Sequence, residues 1–202
     1  MTDNDRFFIG WAVTECAKKG VRVLLESKKS VIADGIKCSG YFDEVKKELR
    51  VACNKPQKNW FPIFVHEFCH FEQWKEKDRS FLDVSENYSN NNTIWEWLDG
   101  KNFKYNNIKQ SVRSYQRLEL DCEKRAVKHI DNFNLSIEKE RYIKQANIYI
   151  LFYSLVLKNR KWYKNQPYED KNILNVISST FIKSFTSLPK GYEDSVIKVN
   201  FN

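Results

Sequence analysis

The segment VHEFCHFEQW, residues 65–74, decides how this chain is read. Two of the three histidines, His66 and His70, stand four residues apart in it. On a helix that spacing puts both imidazoles on one face, one turn apart, within reach of a single ion. Glu67 lies one position round from His66. From there it can hold a metal-bound water without being a ligand itself, which is the geometry that metal-assisted hydrolysis needs. The flanking Ile63, Val65, Phe68, Phe71 and Trp74 make the helix apolar on most sides. Two histidines and a carboxylate buried among such residues require partners. The competing reading makes them ordinary side chains of a half-buried helix.

Working outward, the helix is expected to run from an N-cap at Asn59 to about Trp74, with Pro62 in its first turn. It follows ELRVACN (48–54), a strand by its β-branched, alternating pattern. VRVLLES (21–27) and SVIADGIKCSGYF (30–42) have the same character, so a small antiparallel sheet of three or four strands is expected. ELRVACN is either its exposed edge, able to pair with a peptide, or an internal strand. Residues 5–19 carry Phe8, Trp11, Ala12 and Cys16 at helical spacing, with Gly20 as a stop signal. Residues 75–106 are polar and irregular, with an exposed loop at SENYSNNNT (85–93) and a short WEWLDG segment. Helical periodicity returns over 107–132, over 137–158 with Ser136 as N-cap, and over 171–185. KNRKWYKNQPYED connects the last two. The order is helix, small sheet, catalytic helix, then a helical part: an α+β chain read as one domain over 1–202, with the sheet and motif in 1–75 and the later helices in 107–186.

Bulk properties agree with a globular domain. The chain has 202 residues, 42% hydrophobic and 30% charged, enough to bury a core. Six glycines and four prolines leave little linker and favour helices. The longest apolar run, ANIYILFYSLVL (146–157), is too short to span a bilayer. MTDNDRFFIGWAV has neither a basic leader nor a small-residue cleavage site, so no signal peptide is expected. Cys16, Cys38, Cys53, Cys69 and Cys122 are scattered and odd in number, which suits free thiols and a cytoplasmic location. The Lys/Asn-rich character suits a phage-encoded protein working in host cytoplasm. Net charge is +8, but the lysines alternate with acids, as in EVKKELR and EKERYIK. A mixed solvated surface is preferred over a nucleic-acid interface, whose best location is RKWYKNQPY (160–168).

A catalytic zinc site needs a third protein ligand and an open position. A histidine six residues after His70 is ruled out, because Glu76 and Gln73 occupy the positions that arrangement needs as His and Gly. In YQRLELDCEKRAVKHI (115–130), Leu118, Cys122, Ala126 and His129 or Ile130 form an inner stripe. Glu119 sits at its margin, where an acid is costly unless something cationic meets it. Glu119 is the preferred ligand; Glu123, Glu96, Asp83 and His129 are the alternatives. Glu123, one turn on, can fix the tautomer of a ligand histidine.

His66-Glu67-x-x-His70 followed by Glu119-x-x-x-Glu123 and Ala126 resembles the gluzincin branch of HExxH zinc metallopeptidases, including compact ImmA-like and phage-type members. The resemblance covers about residues 48–130. It implies a zincin-like fold, Zn2+ held by His66, His70 and Glu119, Glu67 as general base, and Glu123 supporting His66. It implies hydrolysis of a peptide bond in a peptide or protein substrate. Glu123 stands where the family more often has Asp, and Cys69 where it commonly has Gly or Ala. An oxyanion donor is sought among Tyr149, Tyr153 and His129, with Tyr142 and Arg141 nearby; the tyrosine stripe also reads as core. Non-catalytic use of the same scaffold as a binding protein is the main rival, and the intact Glu67 argues against it.

Overall fold

The computed structural model describes residues 1–33, 35–85, 93–162 and 167–200. Most of the loop expected at 85–93 and the middle of the 160–168 segment therefore lie outside the described residues. The chain is α+β and forms two compact units: Met1–Asp78 with Cys122–Glu138, and Arg79–Asp121 with Lys139–Asn202. Among the described residues no helix is long and apolar enough to cross a membrane.

The first unit opens with α1, Asp3–Ala17. Thr2 caps it, accepting from Asp5 N–H while the Asp5 side chain accepts from Thr2 N–H. That reciprocal pair satisfies two otherwise idle donors. Five strands follow: β1 Arg22–Glu26, β2 Val31–Ala33, β3 Ile36–Cys38, β4 Gly40–Asp43 and β5 Glu48–Ala52. They do not form the single antiparallel sheet expected. The main sheet has the order β1-β5-β4, with β1 parallel and β4 antiparallel to β5, while β2 and β3 pair as a separate antiparallel hairpin. Parallel strands need a crossover of a dozen or more residues, and the stretch between β1 and β5 provides it. The edge reading of ELRVACN is also corrected. β5 is the central strand, with Leu49, Val51 and Ala52 fully buried. The edges of this sheet are β1 and β4.

Helix α2, Gln57–Glu76, packs on β4 and β5. It starts after Pro56, whose extended backbone (φ −52°, ψ 144°) sets the chain direction without a side-chain cap. Asn59 lies inside the helix instead of capping it. Pro62 is likewise interior, where it removes one backbone hydrogen bond. Phe8 of α1 meets Phe61, Phe64 and Phe68 of α2 edge-on, with ring centroids 6.4, 6.2 and 5.7 Å apart. These rings are buried and contribute roughly 2–3 kcal/mol each.

The second unit holds α3 (Arg79–Ser85), α4 (Thr93–Leu98), the first part of α5 (Tyr105–Phe133), α6 (Lys139–Asn159), a short 3-10 turn at Pro167–Glu169, α7 (Lys171–Val176) and α8 (Tyr192–Asn200). The stretch read as irregular thus contains two short helices. Ile148, Leu151, Phe152, Leu155 and Val156 of α6 pack with Ile173, Tyr192 and Val196. Ser136 does not cap α6: its hydroxyl and N–H both donate to Asp5. The helix expected over 171–185 ends at Ile177, which is extended. Beyond it, Ser178 and Ser184 accept from the N–H of Thr180 and Thr186, local bonds that compete with a helix. The unexpected α8 had a signal: Tyr192 and Val196 at i, i+4, and acidic Glu193 and Asp194 in its first turn.

Candidate metal centre

Helix α2 presents His66 and His70 with their Nε2 atoms 3.1 Å apart and their rings nearly perpendicular, at 89°. Each Nδ1 has its own acceptor. His66 Nδ1 lies 3.1 Å from Glu123 Oε1, and His70 Nδ1 lies 2.8 Å from Gln73 Oε1. Carboxylate and amide oxygens only accept, so both Nδ1 atoms carry the proton. Both Nε2 atoms then turn their lone pairs toward each other. That arrangement is repulsive for neutral imidazoles and correct for two ligands of one cation. Glu123 is buried and Gln73 fully so. Both partners come from the same unit as the histidines.

Glu67 is buried on the same helix. The backbone of β4 comes close to it: a Cβ built on Gly40 would stand 3.2 Å from Glu67 Cγ and 2.8 Å from Ile63 Cγ2. Glu119, one turn before Glu123 on the unbroken α5, is buried and belongs to the second unit. Its neighbour Tyr115 has its hydroxyl pushed up to about 12 by burial, with the charge of Glu119 adding to the effect.

Two groups of donor atoms have metal-ligand spacing among the described residues. One is His66, His70 and Cys122; the other is Cys69, Glu72 and His129. Cys122 was read from the sequence as part of an inner stripe, and Leu118, Cys122, Ala126 and Ile130 are indeed buried. Its Sγ lies 3.6 Å from His66 Nδ1 and 3.3 Å from the His66 carbonyl oxygen, so it stands on the Nδ1 side of that ring. Gln73 was missed as a partner, although its position three after His70 carries the signal.

His129 does not join the first pair. Its Nε2 lies 2.8 Å from Glu72 Oε2, and its ring packs against Phe8, Trp11, Phe68 and Phe133. Tyr149 and Tyr153 share a hydroxyl–hydroxyl bond of 3.1 Å in the second unit, where buried Tyr153 packs with Ile94, Ile108 and Val112. Tyr142 is buried, and Arg141 donates to Glu169 at 2.9 Å. Of the alternative ligands, Glu96 pairs with Lys101 at 2.8 Å and Asp83 with Arg79 at 3.4 Å. All five cysteines are free thiols; burial pushes Cys69 up, against the lowering effect of a hydrogen bond with Cys122. The chain matches no protein-family model, no curated protein and no solved structure.

Proposed function

We propose that this chain is a zinc-dependent metallopeptidase with a zincin-like active site, hydrolysing a peptide bond in a peptide or protein substrate. The observation that carries the reading is the pair of Nε2 lone pairs 3.1 Å apart, each ring locked by an acceptor at Nδ1. Such a donor set suits Zn2+, for which imidazole is a preferred ligand. His66 and His70 hold the ion. Glu119 is the third ligand by the resemblance to gluzincins.

An ion held by these residues would supply Lewis acidity, lowering the pKa of a water toward neutrality and polarising a carbonyl. Glu67 accepts the proton of the attacking water and returns it to the leaving amine. Glu123 and Gln73 keep His66 and His70 in the metal-binding tautomer. Glu67 is buried on the same helix as the two histidines, one position round from His66, which suits a base acting beside the ion.

The test is zinc content per chain in protein purified without added metal, with hydrolysis of a casein-type substrate measured alongside. Glu67→Gln is expected to keep zinc and lose hydrolysis by two or more orders of magnitude. His66→Ala and Glu119→Ala are each expected to lose most of the bound zinc at the active site. Full hydrolysis by Glu67→Gln sinks the mechanism. Zinc and activity untouched by Glu119→Ala move the third ligand elsewhere.

A further inference from the structure

We infer that Cys69, Glu72 and His129 form a second metal site, built for a borderline divalent transition ion such as Zn2+. Cys69 and Glu72 stand three residues apart on α2, and His129 comes from the C-terminal part of α5, all within the first unit. Their donor atoms lie within 4.8 Å of one another, and the Nε2–Oε2 pair is at 2.8 Å. Ligands that share one ion at bond lengths of about 2.0–2.3 Å fall in this range.

The donor set matches a divalent ion in charge: with an ion bound, the thiolate of Cys69 and the carboxylate of Glu72 would balance its two positive charges. Cys69 is fully buried and Glu72 is 9% exposed. Binding releases the thiol proton of Cys69 to solvent.

The state of His129 points the same way. Its Nδ1 is buried and makes no hydrogen bond among the described residues. For a neutral imidazole, a plain hydrogen bond to Glu72 requires the proton on Nε2, which leaves Nδ1 as a lone pair among aromatic rings. With an ion shared by Nε2 and the carboxylate, Nδ1 keeps its proton and presents it to the surrounding π faces. The rings of Phe8 and Trp11, with centroids 5.3 and 5.6 Å away, supply those faces. Sulfur, carboxylate and imidazole together suit zinc better than magnesium or calcium. An ion there ties the helix carrying His66 and His70 to α5. The two sites share no ligand, so this inference stands apart from the proposed peptidase activity.

The experiment is Co2+ titration of the full chain, with metal content counted in parallel. The His66→Ala/His70→Ala variant is expected to keep about one ion per chain and to show the near-ultraviolet thiolate-to-cobalt absorption. Adding Cys69→Ser should reduce both to near zero. His129→Gln in the same background should also lose the ion, and it serves if Cys69→Ser does not fold by circular dichroism. The inference is overturned if the histidine double variant takes up no ion, or binds one without the sulfur band. It is equally overturned if the band survives Cys69→Ser and disappears with Cys122→Ser. An ion lost with Cys69→Ser but untouched by the double variant supports this site and counts against the first.

Discussion

Glu123 and Gln73 each hold one imidazole from behind, and the two differ in how visible they are in the sequence. Glu123 stands four residues after Glu119 at the margin of a helical stripe, so its candidacy as a partner of a histidine is legible from spacing. Gln73 belongs to no motif, and only the i, i+3 geometry of a helix connects it to His70. Cys69 and Cys122 read as small core residues, which they are; that each also offers sulfur to a donor group depends on contacts across fifty or so residues that no local pattern encodes. Glu123→Ala removes the acceptor at 3.1 Å from His66 Nδ1 and frees the ring to take the other tautomer. Zinc affinity at the proposed His66–His70 centre is expected to fall about 10–100-fold. Competition with a chromophoric chelator, in the Cys69→Ser background so that one site is read, measures it. Unchanged affinity would mean that Glu123 does not set the tautomer.

At the level of elements, local pattern located the segments and long-range pairing did not follow from it. β1 and β5 fall within the expected stretches 21–27 and 48–54, and α1 and α2 lie where periodicity puts them. The parallel pairing of β1 with β5 was not legible, because it depends on which strands meet after the crossover and not on their composition. The ends of α2 and α7 were misjudged where Pro56 and the Ser/Thr turns override periodicity. Gly40 shows why the register matters. A Cβ there would press on Ile63, on the Arg50 carbonyl oxygen at 3.1 Å and on Glu67. The carbonyl belongs to the central strand and cannot swing aside. Gly40→Ala is therefore expected to cost about 1–3 kcal/mol in urea unfolding. It should also lower hydrolysis more than zinc content, because Glu67 is displaced and the histidines are not. A variant as stable and active as the parent would contradict this packing of β4 on α2.

For the molecule as a whole, one carboxylate joins three separate stretches of the first unit. Asp5 is fully buried and accepts from Thr2 N–H at 2.9 Å, Gln57 Nε2 at 2.9 Å, Ser136 N–H at 2.9 Å and the Ser136 hydroxyl at 2.6 Å. It thus pins the start of α1, the start of α2 and the turn after α5. Burial alone would raise its pKa, but the bonds from Ser136 and Thr2 outweigh that and lower it to about 2, from 3.8. A carboxylate with a depressed folded-state pKa adds stability that is complete above its unfolded value. That stability disappears as pH falls through the folded value. The window here runs from about pH 4 down to about pH 2, and the contribution is on the order of 2 kcal/mol. Asp5→Asn keeps the shape but cannot accept at both oxygens. Near neutral pH it should be less stable than the parent by about that amount, read from denaturant midpoints. The gap should then narrow as pH is lowered toward about 3, because the parent loses what the variant never had. Asp43, Glu48 and Glu15, also depressed, titrate in both proteins and cancel in the difference. A gap that stays constant through the acid range would show that the network stabilises by shape and not by charge.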